Sequence, residues 1–377
     1  MIGEHYRGRE QSQVKHKVLE RYLQAFSAII GTKFDEIVYV DCMAGPWEAK
    51  DAALRDTSFH TAISVFQDCL ARGRCKSVRA LLIESDREKY PLLEAYGKSV
   101  TGLEVVTEPW DFTKHVNEIV RFAKRSKNSF PFFFIDPTGW TQVSIDAIRP
   151  ILQVDPGEVL INFMTSWIKR FFDDPQKPFH ELFGHEELTR LRGLSGEELE
   201  DEIVNVYAAR IRKVGRFAYT CAIPIMMPDR DDIHYHLIYG TRSYRGLEEF
   251  KKTEDVSIRF MHDLRAAAQR RDQEEKNPQG FLLSAAETYR ERRFRLLNGR
   301  RKANARAAVI QLLETNAPIT YGTLYQESMQ YSTVVDSDLR QWLEEWQRSG
   351  SIRFGNWTKG QKVPHRDTTV QLTGPLP

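Results

Sequence analysis

FFFIDPTGW, residues 132 to 140, decides how the rest of the chain is read. Phe132, Phe133, Phe134 and Ile135 form an unbroken apolar run, the pattern of a strand covered on both faces, and Asp136-Pro137 ends it where side chains emerge. In open α/β sheets the crevice at the carboxyl ends of the strands is where ligands bind, so Asp136 is a candidate for chemistry. The alternative is that Asp136 caps a turn or the next helix.

Outward from this strand the first two thirds of the chain alternate strand and helix. IVYVD (37 to 41), RALLIE (79 to 84), LEVV (103 to 106) and EVLINF (158 to 163) read as further strands, and Val14, Val18, Tyr22, Phe26 and Ile29 form an apolar stripe on a leading helix. That alternation predicts a doubly wound, mainly parallel sheet. A helical insertion is expected over roughly 166 to 213. FAYTCAIPIMMP and IHYHLIYG then flank DRDD as an antiparallel hairpin. The expected divisions are an α/β domain over 1 to 260, a charged helical linker over 261 to 295, and a small module over 296 to 377. In the last, three helices and a returning hairpin make a winged helix plausible.

At 377 residues, 41% hydrophobic and 28% charged, the chain suits a large core plus a small module. No apolar run has the length of a membrane span, and the polar start MIGEHYRGRE does not read as a signal peptide, so a cytoplasmic protein with no membrane partner is expected. Cys42, Cys69, Cys75 and Cys221 lack the C-x-x-C spacing of a zinc site. The net charge of +2 is uninformative, but eight of its cations crowd the stretch from Arg290 to Arg306. That basic hinge and the loop WTKGQKVPHR are candidates for gripping phosphate, against the alternative of a solvated helix face beside a protein-binding module.

Four successive strands end in acids: Asp41, Glu84, Asp111 (in EPWDF) and Asp136. Each alone reads as a helix cap; together they favour one crevice. A carboxylate at the position of Glu84 suits ribose hydroxyls, and the turn after Asp41 carries Gly45, where backbone can approach a ligand. Asn162 ends the fifth strand, with Lys169 and Arg170 just beyond. His234 and His236 share a strand face without the further ligands a metal needs.

A parallel sheet finished by a hairpin resembles the class I S-adenosylmethionine-dependent methyltransferase fold. Asp136-Pro137-Thr138-Gly139-Trp140 occupies the place of the Asp/Asn-Pro-Pro-Tyr/Phe motif of nucleic-acid amino-methyltransferases, matching its first two residues and carrying the aromatic one place late. KHKVLERYLQAF, YVDCMAGPWE, DTSFHTAISVF, LLIESD, FFFIDPTGW and LINFM together resemble the three-Cys-motif partner (TcmP) family of bacteria over roughly residues 1 to 260. The resemblance implies S-adenosylmethionine as cofactor, with Asp41, Met43, Ala44 and Gly45 around its amino-acid half and Asp111 with Phe112 holding the adenine. Trp47 stands where the usual turn has a second glycine. The amino-methyltransferase motif implies Asp136 and Pro137 orienting a target amine, Trp140 packing on an extruded base, and DNA or RNA as partner; the TcmP resemblance implies a neighbouring protein with a cysteine motif. The alternative is a non-catalytic scaffold that keeps the shell of the fold.

Overall fold

The computed structural model describes residues 4–45, 49–137, 139–276, 291–358 and 360–376. Two compact units divide the chain at Arg290, with Cys221–Ile223 grouped with the second.

In the first unit the strands are β1 (Glu36–Asp41), β2 (Val78–Ile83), β3 (Glu104–Glu108), β4 (Ser129–Ile135), β5 (Glu158–Phe163), β6 (Tyr219–Met226) and β7 (Ile233–Thr241). They form one sheet in the order β3-β2-β1-β4-β5-β7-β6. The first five are mutually parallel and β7 runs antiparallel to β5. This is the strand order of the methyltransferase-like fold. β4 lies at its centre because Phe132 to Ile135 are apolar on both faces, and all four are fully buried.

Helices cover both faces: α1 (Glu10–Ile30), α2 (Ser58–Ala71), α3 (Tyr90–Ser99), α4 (Val116–Ala123) and α5 (Ile145–Leu152), then the insertion α6 (Thr165–Arg170), α7 (His180–Phe183), α8 (His185–Leu191) and α9 (Gly196–Gly215), and the long α10 (Tyr244–Lys276). Residues 261–276, expected as linker, continue α10 because Met261, Leu264 and Arg265 are buried against the domain. Among the described residues no helix is long and apolar enough to cross a membrane.

Helix α1 is laid down by aromatics. Phe26 packs on Phe130 and Phe132 at ring separations of 5.6 and 5.3 Å, and Tyr22 packs on Phe132, Tyr239 and Phe250 at 5.8, 5.0 and 5.5 Å. Beneath this seam sits the wholly buried Glu158, which accepts hydrogen bonds from the Tyr22 hydroxyl (2.6 Å) and the Thr241 hydroxyl (2.7 Å). Burial raises its carboxyl above the usual range. On the edge opposite the carboxyl ends, the Arg242 guanidinium donates to the carbonyls of Leu152, Val154 and Gly157, each at 3.0 Å, and to that of Gly215.

The second unit has the order helix, strand, helix, helix, strand, strand: α11 (Arg292–Asn316), β8 (Ile319–Thr320), α12 (Tyr321–Ser328), α13 (Asp336–Arg348), β9 (Ile352–Gly355) and β10 (Thr369–Leu372). The returning hairpin gains β8 as a third strand on the other side of β10. Leu297, Val309, Leu313, Leu339, Trp346 and Val370 are buried in its core.

Removing one donor from Glu158 leaves a buried carboxylate short of a partner. Thr241→Val is expected to lower stability by about 1–3 kcal/mol in urea denaturation, and an unchanged midpoint would show that Tyr22 alone suffices.

Candidate functional site

Parallel register brings the strand ends to one edge: Asp41 pairs beside Leu82 and Phe134, Ile83 beside Glu108, and Ile135 beside Ile161. The turn after β1 is held to this edge by the Cys42 amide on the Phe134 carbonyl (2.9 Å) and the Ala44 amide on the Ile83 carbonyl (2.7 Å). The C-terminal crevice expected from the sequence is therefore present, and two cavities open along it.

The larger holds about 390 Å³ and lies at the end of β4 and β5, with Met43, Gly45, Asp136, Pro137 and Asn162 in its wall. Helix α1 contributes Ser12, Lys15 and His16 to the same cavity, and Arg9, which immediately precedes the helix, joins them. Its course explains why. From Phe26 to Lys15 the helix climbs about 16 Å at ~1.5 Å per residue, and from Phe130 to Asp136 the strand advances about 20 Å at ~3.3 Å per residue. Running opposite to β4, the helix thus delivers Lys15 to the strand end, where its ammonium pairs with the Asp136 carboxylate. The other Asp136 oxygen accepts from the Asn162 amide at 2.6 Å. Asp136 is thus joined to side chains from α1 and β5, and its role differs from that of a capping residue.

The remaining polar groups are tightly arranged. Arg9 is paired with Asp56 at 3.0 Å, both nearly buried, and Asp56 also accepts from the Lys50 amide at 2.8 Å. His16 is bonded to the Tyr6 hydroxyl at 2.8 Å; burial, then Lys15 and Arg9, hold its imidazole well below its ordinary pKa, so it is neutral. The Tyr235 hydroxyl donates to the Gln11 carbonyl at 2.8 Å.

The smaller cavity, about 30 Å³, lies at the ends of β2 and β3, walled by Glu84, Trp110, Asp111, Phe112 and Gln142. Met43 borders both cavities. Glu84 is almost fully buried; one oxygen accepts from the Asp86 amide at 2.6 Å, and burial raises the carboxyl above its usual range. The Gln142 Oε1 is buried without a hydrogen-bonding partner. Asp111 does act as a cap: it accepts from the Thr113 hydroxyl and amide at 2.7 and 3.1 Å, at the start of a short 3-10 turn, and these bonds lower its pKa. The capping and crevice readings of this residue hold together, since it also lines the cavity.

Asp41 and Ala44 line neither cavity. Asp41 is fully buried and accepts from the Ser58 hydroxyl (3.0 Å), the Tyr39 hydroxyl (3.1 Å) and the Met43 amide (3.3 Å), which fixes the turn from below. Trp140 is likewise outside the cleft. Only 4% exposed, it packs on Phe179 at 4.9 Å and Trp167 at 6.3 Å, so the face expected to meet a base is covered by the insertion. Trp47 and Thr138 lie outside the described residues. His236 is buried against the Thr165 hydroxyl at 2.7 Å, and among the described residues no three metal-ligating side chains cluster. Sequence reading missed Lys15 and Gln142. The helical period around Val14 and Val18 shows that α1 is amphipathic, but nothing in it says which strand end the helix crosses.

No family model matches the chain, and no curated protein does. Solved structures with partial likeness include the cyclopropane synthase MmaA2 from Mycobacterium tuberculosis (11% identity, 65% of this chain and 76% of that one, TM-score 0.29). Others are PKMT2 from Rickettsia typhi (8%, 62% and 56%, TM-score 0.28) and loganic acid methyltransferase with SAH (10%, 77% and 94%, TM-score 0.30). A likeness of this size says nothing of ligand or substrate.

The Asp41 carboxyl is pushed up to about 7 by burial and by the charge of Asp136, against 3.8 in an unfolded chain. The folded state therefore holds the extra proton between these values. The stability that proton confers is complete below pH ~4 and is lost as pH rises through about 7. Asp41→Asn cannot titrate, so its stability relative to the parent chain should improve by on the order of 1–3 kcal/mol between about pH 5 and 8. Urea denaturation at both pH values measures this; a difference independent of pH would refute the assignment.

Proposed function

We propose that the first unit binds S-adenosylmethionine along the C-terminal crevice and carries out, or descends from a protein that carried out, methyl transfer to an acceptor at the Asp136 end. The observation that carries the reading is the single edge on which Glu84, Asp111, Phe112 and the unsatisfied Gln142 border one cavity while Met43 joins it to the cavity of Asp136 and Asn162. The donor set fits the group in kind. Glu84 suits ribose hydroxyls, Gln142 Oε1 suits an exocyclic amine, Phe112 gives an apolar wall, and the backbone around Met43 and Gly45 suits the amino-acid half. When bound, the cofactor supplies an electrophilic methyl group on a sulfonium; the chain's own part is to place the acceptor in line with it.

A second reading is favoured by one measurement. The cavity beside Glu84 has room for a water or two and is too small for a nucleoside, so entry requires the Trp110–Phe112 segment and the Gln142 turn to part. A scaffold that keeps the fold without the ligand accounts for that narrowness. The motifs that resemble the TcmP family suit either reading, with a cysteine-motif protein as the proposed neighbour.

The nucleic-acid reading has less support. Trp140 is covered, and cations of the basic stretch have acidic partners within their own unit: Lys302 bonds Asp338 at 2.6 Å and Arg306 faces Glu345 at 3.5 Å. Arg290 lies outside the described residues. We read the second unit as a winged-helix-like module whose acidic third helix, α13, suits a protein partner better than phosphate.

Titration calorimetry with S-adenosylmethionine decides between the two main readings. Binding is expected, and Glu84→Ala should weaken it by about 1–3 kcal/mol through lost charge-assisted bonds; no heat from the unmutated chain would establish the scaffold. For the tail, deleting residues 291–377 should leave the salt dependence of any duplex binding unchanged, whereas a flattened slope would return phosphate contacts to it.

A further inference from the structure

We propose that the cavity enclosed by the start of α1, the turn between β6 and β7 and the last turns of α10 binds a peptide segment carrying charges of both signs. The inference goes beyond the methyl-transfer reading and applies equally to a catalytic chain and to a scaffold.

This cavity, about 510 Å³, is larger than the one beside Asp136 and falls in the range of roughly 300–1,000 Å³ typical of ligand sites. Its three walls are bonded to one another in turn. From α10 the Arg265 guanidinium donates to the Met227 and Arg230 carbonyls at 2.8 and 3.1 Å, which fixes the turn. Further along α10, Arg271 pairs with the buried Glu10 and Glu275 pairs with Arg7, which fixes the chain at the start of α1. The Tyr235 hydroxyl on the Gln11 carbonyl ties α1 back to β7. The space inside this triangle is therefore built into the fold and is not a gap between loose segments.

The lining selects the ligand. Among the described residues Met227, Pro228 and Ala268 are its only apolar side chains, so a lipid or other apolar tail has little to bury against. Three arginines and four carboxylates line it, and a polyanion loses at the second what it gains at the first. Those along the walls are engaged, Glu10 and Glu275 with arginines and Asp272 with Lys276 at 2.7 Å. At the lip, Asp229 and Arg230 are exposed neighbours that form no ion pair among the described residues. An adjacent anion and cation call for a partner that brings one of each; a peptide does so with its side chains, while its amides meet the polar remainder. Gln11 and His234 border this cavity and that of Asp136 alike, so the peptide lies directly beside the strand-end crevice.

Fluorescence anisotropy on the full chain tests this with labelled probes of about nine units. They are a degenerate peptide mixture of Glu, Lys, Ser and Gly, an all-glutamate peptide, an all-lysine peptide and an oligothymidine. The mixture should bind at least ~10-fold more tightly than any of the other three, and Ala268→Trp, which fills the cavity, should weaken it by ~10-fold or more. Asp229→Asn combined with Arg230→Gln, both at exposed positions, should remove the preference and serves alone if the tryptophan variant does not fold. No saturation by the mixture up to about 1 mM, equal binding of the oligothymidine or of a one-sign peptide, or a preference that survives both variants overturns the inference. None of these probes reports on S-adenosylmethionine, so this failure and that of the methyl-transfer reading are told apart.

Discussion

The seam in which Tyr22 and Phe26 pack on Phe132, with Tyr239 and Phe250 closing behind Tyr22, fixes more of this protein than any polar contact does. Offset and edge-on aromatic pairs have preferred separations, so a helix that carries two such rings cannot slide along a strand that carries a third without losing several contacts together. The seam therefore sets the height of α1 above β4, and that height puts Lys15 at Asp136 instead of one turn short of it. The cleft is partly a product of core packing.

The chemistry at the strand ends follows from unequal burial of similar groups. Asp111 is half open and bonded by a hydroxyl and an amide, so its negative charge is favoured. Asp41 is wholly enclosed, and its three partners do not offset desolvation plus the charge of Asp136. One residue type at two strand ends thus performs two tasks: one supports the turn from inside, the other stays charged at the rim. Glu84 lies between these cases, buried enough that its carboxyl is raised yet bonded by the Asp86 amide at 2.6 Å.

The sheet was legible because its signal is local. All seven strands coincide with apolar or alternating runs, and the switch to an antiparallel hairpin was readable from DRDD between two such runs. The convergence of Glu84, Asp111 and Asp136 also follows from sequence, since parallel strands must end on one side. What sequence does not hold is lateral placement. Trp140 follows the strand end closely enough to invite a role in the cleft, but the insertion supplies Phe179 and Trp167 to cover it, and no periodicity in residues 166–213 foretells that. Asp41 looks like Glu84 in the sequence; only the hydroxyls of Tyr39 and Ser58, reached through the tertiary fold, show that it faces inward.

Arg242 carries a mechanical consequence. One guanidinium gathers carbonyls from the end of α5, the loop leading into β5 and the end of α9, all on the edge away from the cleft. The last helix of the insertion is thereby tied to the sheet at its far end, and midway along it the Tyr207 hydroxyl donates to the Val143 carbonyl at 2.6 Å while the Tyr207 ring stacks on Phe163 at 4.1 Å. The insertion is therefore held at two points, one on each side of the sheet's end-to-end length, and the second of them lies in the turn that carries Gln142. The width of the passage beside Gln142 is then set by a helix that arrives from outside the alternating strand-and-helix frame, so the insertion shapes the crevice without lining it.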